Sequence, residues 1–132
     1  MIGNRMRAFA LSTAFAFICS APPAIAAPFD GNWSMVAVTT SGHCGKIKIG
    51  LEISSGRIFS IGGSFARHPI EVAGRISASG QVKMNAVAGP RSAHGTGRFG
   101  RLRDGKALAG TGTWLGTGPS GVCSGVWNAT RS

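Results

Sequence analysis

Residues 46–54, KIKIGLEIS, alternate without a break. Ile47, Ile49, Leu51 and Ile53 fall on one side, and Lys46, Lys48, Gly50 and Glu52 on the other. A period of two belongs to an extended strand with one buried face, so both lysines are expected in water. The pattern recurs in IEVAGRI at 70–76, with Ile70, Val72 and Ile76 inward. It recurs again in QVKMNAV at 81–87, with Val82, Met84 and Ala86 inward. Turn residues separate the runs: SSG at 54–56, GG at 62–63, SASG at 77–80, GP at 89–90 and DG at 104–105. No window beyond the first 26 residues sustains a helical period. The spacing predicts eight strands, at 32–39, 46–54, 57–65, 70–77, 81–88, 93–102, 107–115 and 121–130. Short connections make sequence neighbours antiparallel partners. The predicted fold is all-β: a single small antiparallel up-and-down β-barrel or closed sandwich of about eight strands.

A second pattern lies inside the last strands. GTGRF at 95–99, GTGTW at 110–114 and CSGVW at 123–127 each run small, hydroxyl, glycine, any residue, aromatic. Asp104-Gly105 is a two-residue hairpin signal. A turn there pairs positions whose numbers add to 209, which sets Phe99 against Gly110, Gly97 against Gly112 and Gly95 against Trp114. All six share one face, so the rings are expected to cover bare glycines on the partner strand. The first strand opens with Gly31-Asn32-Trp33, and Trp33, Phe99, Trp114 and Trp127 are expected to form one aromatic core. Trp114→Ala should then cost about 3–5 kcal/mol. The competing reading makes the rings an exposed stacking platform for sugars or bases.

Composition adds a compartment and a staple. Arg5 and Arg7 precede an apolar run, Ala8 to Ile18, and Ala24-Ile25-Ala26 fits an export cleavage site. Residues 1–26 read as a signal peptide and 27–132 as the β-barrel or sandwich domain. The run is shorter than the ~20 residues a bilayer span needs. An uncleaved anchor is the alternative. Ile18 before Cys19 does not suit lipidation, so the expected destination is the periplasm or the exterior, without a lipid anchor or a transmembrane segment. Cys44 and Cys123 remain, and an even count in an exported chain reads as a disulfide. The alternative, a reactive or metal-binding thiol pair, lacks a second cysteine at ligand spacing beside either one.

The charge is lopsided. After residue 26 there are 12 Lys and Arg against Asp30, Glu52, Glu71 and Asp104, a net charge of +8. Such a field attracts polyanions. Lys46, Lys48, Arg98, Arg101 and Arg103 form the candidate anion-binding surface. Catalytic chemistry has little to stand on. The four carboxylates are turn or outward strand residues, and His43, His68 and His94 stand apart. No glycine-rich phosphate loop precedes a helix and no nucleophile elbow occurs. No enzyme activity, cofactor or metal is expected, and nucleic acid is not the expected partner.

FDGNW at 29–33, one cysteine soon after, GTGTW and the final CSGVW resemble a set of short exported glycine-rich proteins of Gram-negative bacteria. That resemblance implies compartment and layout, with no assigned activity. The opening Gly-x-Trp and eight-strand meander are also similar to calycin-type barrels: lipocalins, avidins and small bacterial protease inhibitors. The expected function is an exported binding or interaction module whose basic surface engages an anionic envelope polymer or a protein. The alternative is an inhibitor of an envelope or host hydrolase, acting through the loop LGTGPSG at 115–121. A small-ligand carrier of calycin type ranks third, because rings seated over glycines should leave little cavity.

Overall fold

The computed structural model describes residues 27–103, 105 and 108–132. The leader read at 1–26 and three residues around the predicted DG turn, Asp104, Lys106 and Ala107, lie outside the described residues. After a short 3-10 turn (Ala27–Phe29) come β1 (Gly31–Ser41), β2 (Lys46–Ser54), β3 (Arg57–Gly62), β4 (Ser64–Phe65) and β5 (His68–Pro69). β6 (Glu71–Ile76), β7 (Gln81–Ala88), β8 (Arg91–Arg101), β9 (Leu108–Gly118) and β10 (Gly121–Arg131) follow. Eight of these close an antiparallel barrel in the order β1-β10-β9-β8-β7-β6-β3-β2. Every barrel strand pairs with its sequence neighbour, and β10 closes the ring on β1. Closure leaves the barrel without an edge strand that could recruit another chain.

The predicted strand at 57–65 is the one that changes. It ends at Gly62, and β4 and β5 form a separate two-stranded hairpin before β6. Gly63 makes the break with φ at 121°, and a Cβ there would lie 2.8 Å from the Lys48 carbonyl. Ala66 and Arg67 take positive φ at the hairpin tip. The chain thus leaves the wall of the barrel for eight residues and lays a flap over one rim.

The two halves of the interior differ. Where β1 starts and β10 ends, Trp33, Phe99, Trp127, Leu51, Ile53, Ile58 and Val82 are all buried. The register of β8 and β9 is the one the DG turn predicts, with Phe99 opposite Gly110 and Gly97 opposite Gly112. A Cβ on Gly110 would meet the Phe99 ring at 2.7 Å, and one on Gly112 would meet Trp127 Nε1 at 2.6 Å. The glycines leave the volume that the rings occupy. Phe29 folds under this floor, edge-on to Phe99 at 5.7 Å, and Phe99 is edge-on to Trp33 at 4.8 Å.

A latch holds the floor shut. Trp33 Nε1 donates to the Phe29 carbonyl at 2.8 Å. The Arg131 guanidinium stacks on the Trp33 ring at 4.7 Å and donates to the carbonyls of Asp30 at 2.8 Å and Pro28 at 2.7 Å. One side chain on the last strand therefore fastens the segment that enters the first. Charge-assisted hydrogen bonds and cation–π contacts of exposed groups contribute modestly. Arg131→Ala is expected to cost about 1–2 kcal/mol in urea unfolding. Arg131→Lys should recover only part of that loss, because an ammonium lacks the planar fork.

Candidate functional site

The other half of the barrel is hollow. Inward positions there carry small side chains: Ala37 on β1, Ala86 and Ala88 on β7, Ala93 and Gly95 on β8, and Gly116 on β9. They enclose about 110 Å³ of almost wholly apolar space, open at the rim. Met35, Met84 and Trp127 make its floor, and Ile47, Ile49, Ile70 and Val72 complete the wall. An enclosed apolar cavity of about 150 Å³ takes up benzene, so this one suits a slender guest. Eight strands give an interior that side chains fill or that one small ligand occupies, and this barrel divides its length between the two.

The rim has three parts. The Cys44–Cys123 disulfide joins the β1–β2 turn to β10, with Cα atoms 6.2 Å apart, and both cysteines line the cavity. Gly42 passes so close that a Cβ on it would lie 2.9 Å from Cys123 Sγ. The β4–β5 flap brings Phe65 over the opening. Arg91, the first residue of β8, lies over the Phe65 ring at 5.3 Å. Of the lining residues, Arg91 alone is a charged side chain at an inward strand position, since the alternation of β8 turns Ser92 and His94 outward.

Trp114 differs from the other rings. Trp33, Phe99 and Trp127 share the buried core, but Trp114 is half-buried and faces the cavity. Its Nε1 reaches past Gly125 to donate to the Val38 carbonyl at 3.3 Å. Gly95 opposite it carries no covering ring of Trp114; the nearest ring atom there is Trp127 Nε1, at 3.5 Å from a built Cβ. The expectation of four rings in one core, and of a full core cost for Trp114→Ala, is corrected on this point. Trp127 is what covers Gly97 and Gly112.

The candidate anion-binding residues do not form one surface. Lys46 and Lys48 lie on β2 and Arg98 on β8, and three strands separate β2 from β8 in either direction round the ring. Lys46 and Lys48 also sit near the open rim, whereas Arg101 and Arg103 lie at the closed end. Grouping cations by sequence proximity missed the barrel's curvature. The proposed inhibitory loop shrinks too: β9 runs to Gly118 and β10 starts at Gly121, leaving a two-residue turn, Pro119-Ser120. Glu52 pairs in register with Asn32 and Phe59, and Glu71 with Val87, so the two do not meet. Among the described residues no three His, Cys, Asp or Glu come together as a metal site. No helix among them is long and apolar enough to cross a membrane.

Fold and cavity together define a small closed β-barrel with an apolar, disulfide-rimmed mouth. Comparison of the chain with protein families, curated proteins and solved structures gave no match.

Proposed function

We propose that this protein is an exported small-ligand-binding barrel that takes a slender apolar molecule into its open half. The observation that carries the reading is the apolar cavity of about 110 Å³ in one half of a barrel whose other half is filled by Trp33, Leu51, Phe99 and Trp127. Packed interiors hold few voids larger than a water molecule. A void of this size, walled by a run of Ala and Gly, costs the fold dispersion contacts that larger residues would supply. Few convergent polar groups over an apolar wall are also typical of ligand pockets. Arg91 at the rim suits a guest with an anionic head and an apolar tail. The signal pattern at 1–26 and the disulfide support an oxidising compartment outside the cytoplasm. The resemblance of Gly31-Asn32-Trp33 and the eight-strand meander to calycin-type barrels supports the same reading.

Methionine-methyl NMR tests it directly. Met35 and Met84, the two methionines of the described barrel, both line the cavity. Saturable shifts of both methyls are expected on titration with decanol, and tighter saturation with decanoate because of Arg91. Ala86→Leu, which fills the cavity from β7, should abolish the shifts while the far-UV circular dichroism stays unchanged. Shifts that are absent in the parent protein, or equal in the two proteins, would overturn the reading.

A further inference from the structure

The outer wall carries a second feature, independent of the cavity. Arg57 on β3 stands directly opposite Arg75 on β6, and Arg75 stands directly opposite Lys83 on β7. The next strand continues the line one step on: Lys83 pairs with Thr96 on β8, and Arg98 lies two residues beyond, opposite Gln81. All four cations are exposed. Like charges directly opposite in an antiparallel pair are destabilising, and here three cations meet in one row. Strands are about 4.8 Å apart, so the row crosses about 10 Å from Arg57 to Lys83 and Arg98 extends it. The described carboxylates leave it uncovered in register. Glu52 is diagonal to Arg57 with Phe59 opposite it, and Glu71 lies at the far end of β6 beside Val87.

The surroundings of the row narrow its partner. Gln81, Lys83, Thr96, Arg98 and Thr111 are exposed neighbours on the outer face of β7, β8 and β9. Hydroxyls and an amide thus alternate with cations. That mixture suits a chain bearing both hydroxyl groups and regularly spaced anions. Phe59, exposed two residues from Arg57 on β3, is the one ring beside the row among the described residues, short of the succession of rings on which single-stranded nucleic acids stack their bases. The exposed apolar side chains of this wall, Phe59 and Ile61 on β3 and Val87 on β7, lie toward the other rim and do not form the continuous apolar face that seats a protein in a bilayer surface.

We propose that the band Arg57–Arg75–Lys83–Arg98 binds a linear acidic polysaccharide, laid across the strands with its sugar hydroxyls against Gln81, Thr96 and Thr111. The mismatch of like charges is relieved when the anions of the polymer are interleaved with it. A bound polymer would lie round the barrel wall, away from the mouth, so both sites can be filled at once.

The test measures binding of the purified protein to polygalacturonate at several salt concentrations. Paired variants are Arg75→Gln/Lys83→Gln in the band and Lys46→Gln/Lys48→Gln at the open-rim end of β2, which remove equal charge. The band pair should weaken binding about tenfold at low salt and lower the log–log salt slope by about two. The β2 pair should change the affinity less than twofold. The band pair should also raise the melting temperature, because the cross-strand repulsion is gone, so lost binding cannot be put down to unfolding. Equal weakening by the two pairs would reduce the effect to net charge and overturn the site. Tighter binding to a thymidine oligonucleotide or to phosphatidylserine vesicles than to polygalacturonate would overturn the partner class, as would no binding to polygalacturonate at all.

Discussion

Trp127→Ala is expected to cost about 3–5 kcal/mol, the largest loss of any single truncation in this barrel. The side chain is 1% exposed and spans three strands. Its ring lies over Gly112, opposite it on β9, and over Gly97, one strand further. Its Nε1 donates to the Thr96 carbonyl at 3.2 Å, which would lose that partner. The cost belongs at the upper end of the range for a geometric reason. Large-to-small substitutions cost less where neighbours can collapse into the void, and two of the neighbours here are glycines with nothing to move in. Phe99, at 6.0 Å, is held by Phe29 and Trp33 on its other sides. Trp114→Ala is the built-in comparison. Trp114 already borders empty space and is half-buried, so its removal enlarges a cavity that the fold has already accommodated. Urea unfolding of both variants should rank Trp127→Ala well above Trp114→Ala. If Trp114→Ala costs as much, the division of the barrel into a packed half and a hollow half is wrong.

That division shows where the sequence was legible. Alternation marks strands because burial of one face imposes period two on local sequence, and the eight barrel strands lie close to where the pattern puts them. The pairing of Phe99 with Gly110 followed from one turn, because a tight hairpin fixes register for the whole pair. The hollow half was also written in the sequence, in Ala86, Ala88, Ala93, Gly95 and Gly116, but only a closed ring shows that these small residues converge. Considering glycines pair by pair, each under a ring, hid that several face the cavity instead. Gly62-Gly63 marked the start of the flap, but the hairpin tip had no local signature, because Ala66 and Arg67 adopt positive φ that their residue types do not announce.

Charge was the least legible property. Arg101 and Arg103 look like companions of Arg98 in the sequence, yet Arg75 and Lys83 are its companions across the sheet. Nothing in the local sequence of Arg131 marks it as the partner of the Pro28 and Asp30 carbonyls, a hundred residues earlier. A side chain's partners in a sheet lie on neighbouring strands, often tens of residues away. Sequence proximity therefore groups strand cations wrongly whenever the wall is curved.

Removing the disulfide is expected to cost about 2–4 kcal/mol, and the pattern of the loss matters as much as its size. The bridge spans a sequence separation of 79 residues, for which loop-closure entropy alone gives about 4.5 kcal/mol. For a domain whose whole stability is about 5–15 kcal/mol, that is a large fraction. The bridge does a second thing. It ties the β1–β2 turn to β10 at the one place where the closing pair is irregular, since the register of β1 on β10 shifts between Thr39 and Ser41. Without it, the hollow rim has few apolar contacts to hold the turn against β10, whereas the opposite end keeps the Arg131 latch and the aromatic floor. Cys44→Ser/Cys123→Ser should therefore lower the urea midpoint and also open the rim locally. Amide exchange of residues 38–46 and 122–126 should rise well before that of Trp33, Leu51 and Trp127. Uniform acceleration across both ends would mean that the bridge acts only on the unfolded chain. Local acceleration confined to the rim would show that it also sets the shape of the mouth, and the same variant should then bind decanoate more weakly.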